Sequence, residues 1–156
     1  MTEHAHHQHN HNHCVKTAME NAALLCEEKG VRLTDTRKRV LELIWQGHEA
    51  VKAYDLIQQF SDGGTKPPTV YRALDFLLEQ GLIHRIDSLN AFIGCPHPDH
   101  HDECGLQVLV CDECHLVEEL HTHDAVSTIA DAASATGFKV VRPVVEVHGL
   151  CEKCQA

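Results

Sequence analysis

Hydrophobic positions recur at intervals of three and four through the first half of the chain, then at intervals of two after about residue 81, so helices are expected first and strands later. Over residues 15–29 the spacing places Ala18, Ala22, Leu25 and Cys26 on one helical face. In LTDTRKRVLELIWQG, Thr34 is the expected N-cap and Val40, Leu41, Ile44 and Trp45 form the apolar stripe. AVKAYDLIQQF predicts a short third helix with Val51, Tyr54, Leu56 and Ile57 inward. PPTVYRALDFLLEQG predicts a fourth over residues 68–80, opened by proline and closed by Gly81, with Val70, Leu74, Leu77 and Leu78 buried. Thr69, Tyr71, Arg72 and Asp75 are left on its outer side.

LIHRIDSLNAFIGC then alternates about a polar Asp87-Ser88-Leu89-Asn90 turn and predicts a hairpin. With the first helix set aside as an extension, three helices and a hairpin are the layout of a winged helix. DGGTKPP is the loop entering its recognition helix. Past Cys95 the chain reads as loop to Gly105. LQVLV is an expected strand, HLVEEL its return, and residues 124–136 an amphipathic helix with Asp124 as N-cap and Val126, Ile129, Ala130 and Ala133 inward. In FKVVRPVVEVHG, Pro143 interrupts a strand, which predicts an edge position or a break.

The expected fold class is therefore α+β. Residues 1–13 form a disordered histidine-rich tail, 14–88 a winged helix-turn-helix DNA-binding domain, and 89–156 a small α/β domain. No apolar run approaches the roughly 20 residues needed to cross a bilayer, and no signal segment opens the chain, so a cytoplasmic protein with no membrane partner is expected.

The net charge of −10 would argue against nucleic acid if it were uniform. It is not: residues 14–88 hold ten Lys and Arg against eleven Asp and Glu, whereas residues 89–156 hold three against eleven. Cationic groups are concentrated in the winged-helix half, where Arg37, Lys38, Arg39, Lys66 and Arg85 are candidates for phosphate contacts. An ordinary solvated face is the competing reading of each. The first thirteen residues contain six histidines, which suit either a solvated tail or a flexible metal-capturing arm.

Eight cysteines in a reducing compartment point to thiolate metal ligands rather than disulfides. Cys111-x-x-Cys114 and Cys151-x-x-Cys154 together supply the four thiolates of a closed, structural Zn²⁺ site, stapling the first strand of the second domain to its tail. Two redox dithiols are the competing reading. His84 and Cys95 bracket the predicted hairpin, so its strands can bring them together near its base. A metal there would touch both domains and make binding depend on their orientation. Cys14 and Cys26 receive no assignment.

VRLTDTRKRVLELI, AYDLI, KPPTVYRALDFLLEQGLIHRI and the paired CxxC motifs resemble the ferric uptake regulator family, and within it the zinc uptake regulator branch. The resemblance runs from residue 15 to 154 and leaves out the histidine tail. It implies a homodimer held by the C-terminal domain, a structural zinc in four cysteines, and one regulatory zinc per chain. The regulatory ligands it implies match His84, Cys95 and Glu119. The fourth position, a histidine in the family, is Cys104 here, with His101 as the alternative. Where the iron-sensing branch has histidines before the first CxxC, this chain has Leu106 and Val108, which argues against iron and against a third site. The resemblance also makes Tyr71 and Arg72 base contacts on double-stranded operator DNA, beside Thr69.

The function expected is thus a zinc-dependent repressor with no small-molecule substrate other than Zn²⁺. A zinc deaminase is the enzymatic alternative, since His101-Asp-Glu103 followed by CxxC echoes its signature. Yet Val110 stands where proline is required, and seven residues between Glu103 and Cys111 leave no room for a helix. Zinc storage or delivery accounts for the histidine tail but not for the winged-helix pattern.

Overall fold

The computed structural model describes residues 11–47, 49–60, 63–96, 98, 105–120 and 122–155. Helix α1 (His11–Glu28) and α2 (Asp35–Trp45) come first, followed by a two-residue strand β1 (Val51–Lys52). Then come α3 (Ala53–Phe60), α4 (Pro67–Glu79) and the hairpin β2 (Ile83–Ile86) and β3 (Ala91–Gly94). The C-terminal part has β4 (Leu106–Cys111), β5 (Val117–Glu119), α5 (His123–Ala135) and β6 (Val144–Gly149). Helix α1 begins at His11, so the last residues of the histidine-rich segment are helical rather than disordered. The segment before them lies outside the described residues.

Local chemistry sets the helix limits. The Thr34 hydroxyl accepts from the Arg37 amide and caps α2 as expected. Proline opens α4, whose first amides need no intrahelical partner, and Gly81 ends it at φ 72°, a conformation that costs a side chain dearly. Val40, Leu41, Leu43 and Ile44 of α2 meet Val70, Ala73, Leu74, Phe76 and Leu77 of α4 in the main core, which Ala22, Leu25 and Cys26 of α1 complete. The third helical segment differs from expectation. Val51 and Lys52 pair with Phe92 and Ala91 as the edge of the wing sheet, and Tyr54 points outward, 67% exposed.

The wing sheet has the order β1-β3-β2, all antiparallel. Because β3 is its central strand, the first unit runs through Gly94, and the expected limit at residue 88 would cut the hairpin in two. The second sheet, β5-β4-β6, pairs β4 antiparallel with β5 and parallel with β6. Pro143 does break the expected long strand, and only Val144–Gly149 joins the sheet. The N-cap position of helix α5 is Thr122 rather than Asp124, with no side-chain capping bond, and the helix has no buried residue; Ile129, expected inward, is 47% exposed. Its start is held instead by Gln107 of β4, which is buried and donates to the Thr122 carbonyl at 2.9 Å.

A second core joins the two units. Ile86 and Ile93 of the wing pack with Leu106, Val108, Val110 and Val117 of the second sheet, and Glu49 forms a backbone bridge with Leu116. The wing is therefore apolar on both faces, one turned to each core. Gly94 closes the first of them, because a Cβ there would run into the Trp45 indole. Gly94→Ala is expected to cost about 1–3 kcal/mol of stability through overpacking, measured by urea denaturation. An unchanged midpoint would mean that Trp45 swings aside freely.

Candidate metal centres and DNA-facing helix

The second sheet brings the two CxxC motifs together. Parallel pairing sets Cys111 of β4 opposite Gly149 of β6, so the tail after β6 returns beside the loop after β4. The ligand atoms of Cys111, Cys114, Cys151 and Cys154 all lie within 4.8 Å of one another. A tetrahedral zinc with bonds of about 2.3 Å sets its sulfurs roughly 3.8 Å apart. Cys114 Sγ and Cys151 Sγ are separated by 3.7 Å. Backbone amides of Cys114 and Cys151 aimed at the Cys111 sulfur bring its pKa down to about 6. Cys154 is pushed up to about 12 by the neighbouring sulfurs of Cys151 and Cys114. Four sulfurs this close shed all their protons only around a cation, so the donor set fits Zn²⁺.

Two of the other predicted metal residues, His84 and Glu119, meet at the seam between the units. His84 sits opposite Ile93 in the hairpin, so Cys95, two residues further, shares the face of His84. That face turns toward the second sheet. There β5 carries Glu119, paired with Val108, and its Oε1 lies 3.9 Å from His84 Nε2. Both side chains are shielded, at 8% and 16% exposure. Cys95 is buried as well, but among the described residues the four cysteines are the one group of three or more potential ligands within 4.8 Å of one another. The structure thus brings His84 and Glu119 into contact range and sets Cys95 on the same strand face as His84. Cys104 and His101 lie outside the described residues.

Cys14 has no role that its sequence context predicts. The first turns of α1 place it at the rim of one cavity with Cys95 and of another with Glu119. Its position directly after the histidine run was the available signal, but nothing in the spacing relates it to the seam.

On α4 the outer face is as expected: Thr69 and Arg72 are exposed and Tyr71 is 50% exposed, over a fully buried inner face. Lys38 and Lys66 are exposed too. Three other expected phosphate contacts have partners within the chain. The Arg37 guanidinium lies 3.5 Å over the Phe76 ring and donates to the Arg32 carbonyl, Arg39 pairs with Glu42 at 3.4 Å, and Arg85 pairs with Asp87 at 3.0 Å.

A sequence model of the ferric uptake regulator family matches residues 28–148. The zinc uptake regulation protein of Escherichia coli (strain K12) is 37% identical over 141 residues, covering 87% of this chain and 80% of its own. A zinc uptake regulator solved with zinc and DNA superposes with a TM-score of 0.84 at 36% identity, covering 90% of this chain and 95% of that one. Holo XcZur gives a TM-score of 0.82 at 42% identity, covering 89% and 97%. Apo XcZur, at 40% identity and 91% and 98% coverage, gives only 0.52. At near-equal identity, this chain superposes better on the holo structure than on the apo one.

The two centres should respond differently to mutation. Cys151→Ser is expected to lose one zinc per chain on dialysis and to unfold at a markedly lower temperature. Cys95→Ser should keep that ion and the wild-type melting temperature. Metal analysis with thermal unfolding checks both, and equal damage from the two variants would contradict the division.

Proposed function

The chain belongs to the ferric uptake regulator family, and we propose that within it this protein is a zinc-responsive transcriptional repressor of the cytoplasm. As a homodimer it binds palindromic operator DNA when a regulatory Zn²⁺ is in place, and so shuts off zinc-uptake genes. The observation that carries this reading is the meeting of His84 and Glu119, from different units, across one shielded seam. A metal held by both is a ligand whose affinity depends on how the units are oriented. By linkage it can favour the DNA-binding orientation only as far as it prefers it, typically by about 1–3 kcal/mol.

In this reading each chain binds two zinc ions. Cys111, Cys114, Cys151 and Cys154 hold the structural one. His84, Cys95 and Glu119 hold the regulatory one, with Cys104 as fourth ligand or His101 in its place. Two thiolates, an imidazole and a carboxylate suit Zn²⁺ over the harder divalent metals. Helix α4 enters the major groove, Tyr71 and Arg72 reaching base edges and Thr69 lying beside them. Lys38 and Lys66 are positioned as phosphate contacts, and Arg37, Arg39 and Arg85 join them by exchanging internal partners for phosphate. Ile129 of α5 and Val147 of β6, apolar and about half exposed, support pairing of two C-terminal domains. Two recognition helices related by a two-fold axis then read two half-sites.

Zinc storage predicts that the same metal loading has no consequence for DNA. Tyr71→Ala with Arg72→Ala is therefore expected to weaken binding to a duplex selected by the zinc-loaded wild type at least 100-fold, with two zinc ions per chain retained. Anisotropy and metal analysis measure the two quantities. Undiminished DNA binding would misplace the recognition helix.

A further inference from the structure

One contact between the units involves neither metal centre. Glu146 lies on β6 beside Val108 of β4, with its side chain 15% exposed. Its carboxylate reaches across the seam to the wing turn, accepting from the amide of Asp87 at 2.8 Å through Oε1 and from that of Ser88 at 3.4 Å through Oε2. These amides open the short 3-10 turn Asp87–Leu89, where the chain has no partner of its own for them. Glu146 is thus an N-terminal cap supplied by the other unit. Hydrogen bonds from amides to an ionised carboxylate are stronger than neutral ones, and two on adjacent amides fix direction as well as distance.

The carboxylate is itself steered. His148, two residues on and on the same face of β6, places Nε2 3.6 Å from Glu146 Oε2 and Nδ1 2.9 Å from Asp112 Oδ1. Asp112 belongs to the Cys111–Cys114 loop, so a chain of carboxylate, imidazole and carboxylate runs from the four-cysteine knuckle to the wing. The Asp112 carboxylate raises the pKa of His148. Although burial alone would raise that of Glu146, the Ser88 and Asp87 donors lower it overall.

We propose that Glu146 is a positioning residue, a latch from the C-terminal sheet to the wing turn that holds the DNA-binding orientation, with His148 and Asp112 transmitting the order of the four-cysteine knuckle to it. The inference rests on the repressor reading above. It adds a second attachment across the seam, at the far end of the hairpin from His84 and Cys95. Zinc fastens the base of the wing and Glu146 fastens its tip, so that a rigid hairpin is fixed at two points. Loss of the latch leaves both ligand sets intact but lowers the share of molecules in which the regulatory site is assembled.

The test uses the full-length, zinc-loaded protein and its Glu146→Gln and Glu146→Ala variants, with a duplex selected from a random pool by the wild type. Both variants are expected to keep two zinc ions per chain in saturating zinc. The free zinc needed for half-maximal DNA binding should rise about 10-fold in Glu146→Ala and less in Glu146→Gln, which keeps one acceptor. His148→Gln should fall between wild type and Glu146→Ala. Hydrogen exchange reads the latch without DNA: the Asp87 and Ser88 amides should lose protection in Glu146→Ala, while those of β4 keep theirs. Unchanged exchange at the two amides would overturn the latch whatever the DNA result, as would faster exchange with an unmoved zinc response. A wild type that selects no duplex would overturn the repressor reading itself, and the positional role with it, even if the amides behave as expected.

Discussion

The structure depends on a seam in which a shielded imidazole faces a shielded carboxylate. Removing either charged form from water costs several kcal/mol, and their attraction offsets that only with good geometry. At 3.9 Å, His84 and Glu119 are close without the short contact of an optimal ion pair. Around them lies an apolar layer of Ile86, Ile93, Val108 and Val117, which keeps water out and gives the two units a shared core. Such a junction holds together chiefly on apolar burial, with His84 and Glu119 at its polar centre. In the proposed reading, a divalent cation held by both side chains would tie the two units at this point, so that its occupancy biases their arrangement.

The four-cysteine site follows a different logic. Its donors come from the two ends of a single unit, and β4 and β6 are already paired up to it, so an ion there strengthens one fold without choosing between two. It also lies at the end of the Asp112, His148 and Glu146 chain, so its order contributes to the wing contact. In the proposed reading, the division of labour between a metal that completes a fold and one that selects an orientation comes from where the ligands sit in the topology, more than from which residues they are.

Much of this was legible in the sequence wherever a local rule decides. Thr34, Pro67 and Gly81 mark helix limits by capping and backbone chemistry, and the alternation about Asp87–Asn90 gives the hairpin. Matched CxxC spacing gives the four-sulfur cluster. The misses have a common cause in partners distant along the chain. Val51 and Lys52 pair with β3 some forty residues later, so they look like the first turn of α3 from sequence alone. Tyr54 and Ile129 sit on stripes that local spacing reads as inward, yet both stay exposed, since whether a stripe is covered depends on the packing of distant elements. Glu146 reads as an ordinary edge-strand acid, and only the fold brings it to the amides of Asp87 and Ser88. The first unit extends to Gly94 because sheet order, which local pattern does not encode, puts β3 in its centre.

The most direct test of the central claim is a titration of buffered free zinc, following DNA affinity by anisotropy and bound zinc per chain together. The account predicts that one zinc stays bound throughout and that affinity rises steeply only as the second loads. Loading of the second zinc with no change in DNA affinity would contradict it.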